Sequence, residues 1–320
     1  MLWRFSRPHT MIGSALCIPA LTLYAAPLAA TPSWTMLASA AAYALPPALL
    51  MNVAIVGLNQ LCDVEIDRVN KPHLPLAAGE LSRASGGAIV LSCLLSSLLL
   101  GWAHPILSTA ALRSTLLGSA LLGTAYSLPP IRLKRFPLLA AFCIMAVRGA
   151  VINHGFIAHA SQCLARQLSA ASPGLSLASA SAPAALTRLR SLAPAAFFTA
   201  FGVVIALVKD VPDVKGDQQF GIRSFSVRLG QPAVLNLALG LLYASYAGVA
   251  AALALGAARA STAIAGARRA AIAALSVAAI RSVRRRAKHV EPSDGGKVYD
   301  LYMHLWTLFY LSYVALPFVR

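Results

Sequence analysis

Residues 8–62 read PHTMIGSALCIPALTLYAAPLAATPSWTMLASAAAYALPPALLMNVAIVGLNQLC and contain no Lys, Arg, Asp or Glu. A hydrocarbon layer is crossed by about 20 apolar helical residues, so this run holds two spans and a turn. PLAATPS, residues 27–33, supplies the turn. Further apolar stretches follow at roughly 85–103, 107–128, 137–159, 192–208, 232–256, 262–281 and 299–318, giving about nine spans. They are too long for barrel strands and lack strand alternation, and lipid leaves no backbone group unpaired, so they read as helices. The expected fold is all-α: one polytopic membrane domain over residues 1–320, a bundle of about nine transmembrane helices.

Composition agrees, with 58% hydrophobic residues and 12% charged, where soluble domains carry about a quarter charged. The eighth stretch holds Arg268 and Arg269. A central Arg costs about 3 kcal/mol on insertion scales, so this span is expected to be short or to snorkel, with eight spans as the alternative. Gln162 to Ser191, rich in Ala and Ser, reads as a disordered connector. Met1 leads at once into WRFSRPHT. Neither a secretory signal nor an Arg/Ser-rich transit segment precedes the first span, which suggests a mature or truncated form. The five cysteines have no CxxC spacing and read as packing residues.

Alternating the spans sorts the cations. One face collects 18 of the 27 Lys and Arg residues, among them Arg4, Arg7, Arg68, Lys71, Arg132, Lys134, Lys209 and the Arg281–Lys288 cluster. That excess marks the cytosolic or stromal side. Four spans separate Asp67 from Asp210, an even number, so the two acidic clusters of the chain share that side.

The clusters hold six of the ten acids. Asn59, Asp63 and Asp67 are spaced four and four, one stripe on a helix. Asp210, Asp213 and Asp217 form a second stripe, broken near Pro212 and Gly216. Converging carboxylates repel one another unless a cation lies between them. Oxygen donors without His or Cys at ligand spacing select Mg²⁺, Mn²⁺ or Ca²⁺. Metal together with Lys and Arg is what a diphosphate needs. Arg68 and Lys71 follow the first cluster, Lys209 abuts the second, and Lys134 lies in the loop after the fourth span.

With its two Asp motifs, N-x-x-x-D-x-x-x-D at 59–67 and the run KDVPDVKGD at 209–217, the chain resembles the UbiA-type intramembrane prenyltransferases. The phrases NQLCDVEIDRVNKPHLPLAAGELS, AYSLPPIRLKRFPLLAAFCIMAVRG, KDVPDVKGDQQFGIRSFSVRLGQ and LWTLFYLSYVALPF are similar to the homogentisate prenyltransferases of plastids and cyanobacteria, and FGIRSFSVRLGQ within the third is more like the phytyltransferases than the solanesyltransferases. The resemblance implies that Asp63, Asp67, Asp210, Asp213 and Asp217, with Asn59, hold Mg²⁺ and a prenyl diphosphate. It implies phytyl transfer from phytyl diphosphate to homogentisate with loss of CO₂, giving 2-methyl-6-phytylbenzoquinol for tocopherol biosynthesis in a plastid membrane. Solanesyl or geranylgeranyl transfer is the near alternative.

Arg68, Lys71, Lys134 and Lys209 are the expected substrate-binding cations, and Tyr126 is placed to steady the allylic cation or the leaving group. Arg148 lies inside the fifth span, where a lone cation needs a partner: the acceptor carboxylate or a motif Asp. Glu65 is expected to pair with Arg68 or Lys71, and His154 and His159 to pack. A divalent-cation transporter is the reading from another class, but it would place acids near the bilayer midplane.

Overall fold

The computed structural model describes residues 1–27, 32–171 and 184–319. Among them the secondary structure is helical throughout, and no strand occurs. In chain order the principal helices are α1 (Pro8–Ala25), α2 (Trp34–Cys62), α3 (Val64–Asn70), α4 (Arg83–Trp102), α5 (Ala110–Ser127) and α6 (Pro137–Ala171). They continue as α7 (Ala184–Asp210), α8 (Val214–Gln219), α9 (Gln231–Ala258), α10 (Ala263–Ala287) and α11 (Gly295–Ala315). Seven are long and apolar enough to cross a membrane: α2, α4, α6, α7, α9, α10 and α11. The helices α1 and α5, each 18 residues, complete nine long helices among the described residues. The chain is a multi-pass membrane protein.

Helix starts follow capping chemistry. Ser33, Ser82, Thr109 and Thr262 each accept a bond from the backbone N–H three residues on, at 3.0–3.3 Å, opening α2, α4, α5 and α10. Asp294 does the same for α11. Outward-facing apolar side chains such as Leu99, Leu121, Leu138 and Ile264 are exposed, as a lipid-facing surface requires. Trp3 stands near one rim of the bundle, and Trp34 and Trp102 near the other, the interfacial positions that indole favours.

One contiguous core draws on α1, α2, α5, α6, α7, α9, α10 and α11. Its centre is aromatic: Phe198 of α7 stacks on Tyr313 of α11 at 3.7 Å, and Phe201 and Phe309 meet edge to face at 5.3 Å. Polar groups link helices at depth, as where Ser97 of α4 donates to the Pro47 carbonyl of α2 (2.7 Å). His159 is buried between Thr109 and the Ala40 carbonyl, and His154 bonds Ser191, both packing roles. The five cysteines are free thiols.

Two expectations change. The Ala/Ser-rich connector is shorter than its composition suggests: α6 runs to Ala171 with Cys163, Leu164 and Ala165 buried, and α7 starts at Ala184. An amphipathic face on α6 outweighs the low-complexity signal there, and residues 172–183 lie outside the described residues. The eighth span is not shortened by its arginines either. Helix α10 is continuous for 25 residues, and Arg269 reaches back to donate to the Gly256 carbonyl near the end of α9 (2.9 Å).

Candidate active site

The first acidic stripe is not one helix. Helix α2 ends at Cys62, Asp63 adopts φ −115° and ψ 15°, and α3 restarts at Val64. The break puts Asp63 at a junction where distant partners gather. Asn59 donates to its Oδ2 (3.1 Å), Arg132 donates to its Oδ1 (2.8 Å), and Lys134 also pairs with Oδ2. Ser127, at the end of α5, bonds Asn59 (3.3 Å) and steadies it. Asp67, one turn along α3, is buried and has no ion-pair partner among the described residues. Burial raises its pKa above the ordinary carboxylate value, partly offset by the charges of Lys71 and Arg7. Burial likewise lowers the pKa of the Lys134 ammonium, against the pull of Asp63.

The second stripe breaks where Pro212 interrupts it, between the end of α7 at Asp210 and the start of α8 at Val214. Gly216 does not break it. It lies inside α8, where its N–H donates to Asn70 Oδ1 (2.9 Å), and a Cβ there would come within 2.5 Å of that oxygen. Lys71 pairs with Asp213 alongside. Thus α3 and α8 are fastened to each other by two polar contacts, which hold the two acidic motifs face to face. Asp217 is buried, and its pKa is pushed up to about 7 by desolvation and then by the nearby Asp210 charge.

All six motif residues line one cavity of about 280 Å³. Five carboxylates (Asp63, Asp67, Asp210, Asp213 and Asp217) and four cations (Arg7, Lys71, Lys134 and Lys209) share its polar end, joined by Tyr126. Its remaining wall is apolar, built by Ala140, Ala141 and Ile144 of α6, Val203 and Leu207 of α7, and Leu237 and Leu241 of α9. Leu237 is also exposed on the outside of the bundle, so the apolar end reaches toward lipid.

Two expected residues lie elsewhere. Arg68 is on the exposed side of α3, paired with Glu65 one turn before it (2.7 Å), whereas Lys71 caps the helix and leaves helical geometry (φ −143°, ψ 59°). Glu65 also pairs with Arg83, while Lys71 goes to Asp213 instead. Arg148 does not line this cavity; its guanidinium lies over the rings of Phe309 and Trp306. Three contributors were not singled out from the sequence as site residues: Arg7, Asn70 and Arg132. Arg7 carries a left-handed backbone (φ 49°) immediately before Pro8. For a non-glycine residue that costs about 1–3 kcal/mol, a strain typical of functional sites.

The donor set suits a hard divalent cation. Among the described residues no three acids, His or Cys already form a coordination cage, because Lys134 and Arg132 occupy Asp63 and Lys71 occupies Asp213. Asp67 and Asp217 are the buried motif carboxylates with no ion-pair partner among the described residues, and burial raises the pKa of both. Mg²⁺ binds through one or two carboxylates and takes its remaining oxygens from water and phosphate, so a three-acid cage is not required.

The Asp217 environment has a measurable consequence. A carboxyl whose folded pKa lies above its unfolded value stabilises the fold below about pH 4, and that contribution is lost as pH rises through about 7. In chelator-treated protein, Asp217→Asn should therefore match wild type at pH 4 and exceed it at pH 8, by up to ~4 kcal/mol at 1.36 kcal/mol per unit. Thermal unfolding in detergent at the two pH values checks this, and an equal Tm at pH 8 would refute it.

A helical membrane bundle whose acids and cations share one cavity with an apolar wall open toward lipid has the form of an enzyme for a lipid-tailed, charged-headed substrate. Residues 16–312 match the UbiA prenyltransferase family, and the chain belongs to it. It is 41% identical over 320 residues to homogentisate phytyltransferase 1, chloroplastic, of Arabidopsis thaliana, covering 99% of this chain and 75% of that protein. It is 38% identical to homogentisate phytyltransferase of Synechocystis sp. (98% and 94% covered). It is 37% identical to homogentisate geranylgeranyltransferase of Hordeum vulgare (99% and 72%). The fold is shared with a UbiA homolog from Archaeoglobus fulgidus bound to DMAPP and Mg²⁺ (TM-score 0.58, 19% identity, 99% of both chains). It is also shared with the apo UbiA homolog from Aeropyrum pernix (TM-score 0.63, 16% identity, 96% and 97%).

Proposed function

We propose that this protein transfers the phytyl group of phytyl diphosphate to homogentisate, releasing diphosphate and CO₂ and giving 2-methyl-6-phytylbenzoquinol, a step of tocopherol biosynthesis. The observation that carries the reading is the two-ended cavity: acids and cations at one end, an apolar wall at the other. The names of the similar phytyltransferases supply the substrates.

Asn59, Asp63 and Asp67 from one side, and Asp210, Asp213 and Asp217 from the other, would hold Mg²⁺. When bound, the metal neutralises the diphosphate and makes it a better leaving group. Lys71, Lys134, Lys209 and Arg7 bind its remaining charge. Lys134 and Lys71 are paired to motif acids in the free protein, so they are already positioned where the diphosphate arrives. The C1–O bond of the donor breaks with its electron pair on the leaving group, and the allylic cation is attacked by the electron-rich acceptor ring. The ring proton is lost, and a proton replaces the departing CO₂ on the side chain. The apolar wall keeps water from the cation, and the Tyr126 ring at the cavity edge steadies it.

The positive-side cations and the chloroplastic relatives support a plastid membrane with the acid end facing the stroma. A geranylgeranyl donor is the second reading, favoured by the 37% identity to the Hordeum protein. Membranes given Mg²⁺, labelled homogentisate and, in parallel, phytyl, geranylgeranyl and solanesyl diphosphates should form most product from the phytyl donor. A higher kcat/KM with another donor would reassign the substrate, and no product from any would refute the acceptor.

A further inference from the structure

The helix face that lines the cavity continues past its floor. Pro137, Ala140, Ala141 and Ile144 of α6 line it, and the next residue of that stripe is Arg148, about 6 Å further into the bundle at 1.5 Å per residue. There α6 opens into a π-helical segment, Ala146–His154, a feature that recurs at functional sites.

Arg148 is held from several sides. Its carbonyl accepts from the Asn153 amide, and Asn153 in turn accepts from Tyr313 Oη (3.0 Å) while fully buried. Its side chain crosses Gly202 of α7 so closely that a Cβ there would lie 2.7 Å from Arg148 Cγ. The guanidinium carbon rests 5.0 Å from the Phe309 ring centre and 5.9 Å from that of Trp306.

The guanidinium meets no acid. All ten acids of the chain lie among the described residues, and those that form ion pairs pair with other cations. No side-chain hydrogen bond of Arg148 occurs among the described residues either. A cation at this depth is costly unless paired, and rings alone answer a cation less well than an anion does. The negative charge must therefore come from a ligand. The diphosphate has its own cations at the polar end, a turn or more away along α6.

We propose that Arg148 binds the carboxylate of the aromatic acceptor, with Trp306 and Phe309 as the wall beside its ring. The assignment rests on the homogentisate reading above and deepens it. The acceptor would enter the bundle interior carboxylate first, leaving its ring on the side of the diphosphate chamber. A cation placed there also discriminates against quinols that lack the acid group.

The test is steady-state kinetics of wild type, Arg148→Gln and Arg148→Lys, varying each substrate separately, with 2-methylbenzene-1,4-diol as a carboxylate-free competitor. Arg148→Gln should raise the KM for homogentisate at least 10-fold, leave the KM for phytyl diphosphate within 2-fold, and leave the inhibition constant of the competitor unchanged. Arg148→Lys should recover part of the loss. An unchanged homogentisate KM in an active Arg148→Gln protein overturns the inference while leaving the proposed function standing. Equal weakening of both substrates and the competitor, with a lowered Tm, also overturns it and assigns Arg148 to packing. A wild type that does not prenylate homogentisate at all removes the functional reading, and this inference with it.

Discussion

Asp67→Asn is expected to leave a protein that folds at least as well as wild type and barely turns over. Asp67 is buried without an ion-pair partner among the described residues, and its raised pKa means that ionising it costs free energy in the metal-free fold. Asn keeps the volume and removes that cost, so Tm in chelator at pH 8 should hold or rise. On the proposed function, the same change removes the negative charge of a carboxylate that would hold Mg²⁺ opposite the second motif, leaving only a neutral amide oxygen. Losing one electrostatic partner of a developing charge costs about 10²–10³ in kcat, and the loss should appear in kcat/KM for the diphosphate at saturating Mg²⁺. A variant with falling stability and nearly intact activity would show that Asp67 serves the fold and not the chemistry.

The second large effect concerns a residue with no chemistry of its own. Gly216 lets α8 lie against α3, and a side chain there would collide with Asn70 Oδ1, 2.5 Å from an ideal Cβ. Gly216→Val should push the two motifs apart and lower activity by about 10²-fold, consistent with the cost of a misplacement of about 1 Å in a positioned site. The nine long helices should persist, since α3 and α8 lie outside them. Removing the obstacle provides the control: Asn70→Ala in the Gly216→Val background should recover about 10-fold, although Asn70→Ala alone loses activity by freeing the Gly216 N–H. That sign reversal is a coupling that independent sites do not show. Additive losses in the double variant would refute the clasp.

The bundle was legible because lipid imposes one demand on every span, and a 55-residue stretch without a charge, 8–62, satisfies it in only one way. The shared side of the two acidic clusters followed from counting spans, and the single cavity agrees with it. The break at Asp63 was hidden for a physical reason. Four-residue spacing is a local signal that fits an unbroken helix, whereas Arg132 and Lys134, which gather that carboxylate, lie about 70 positions away. Arg68 and Lys71 looked alike in sequence, but three residues of α3 and its C-terminal turn send one to the exposed face and the other to Asp213. Asn70 gave no signal, because its partner is a backbone N–H in another motif. Arg148 was conspicuous as a charge inside a span, but the sequence left two partners open, and its placement against rings of α11 separates it from the acids.

The transporter reading meets an obstacle in the same geometry. Its metal sites belong near the midplane, whereas the motif acids here cluster where α2 and α7 end, among cations that suit an anion. On the proposed function, the two motifs act as one site for a metal-bound diphosphate. The most direct test is a crystal structure with Mn²⁺ and a non-reactive phytyl thiodiphosphate, with the metal located by anomalous scattering. An anomalous peak is expected between α3 and α8, within ligand distance of at least one carboxylate from each motif, with the diphosphate beside Lys134 and Lys209. Metal held by one motif alone, or a diphosphate outside the acid-lined cavity, would contradict it.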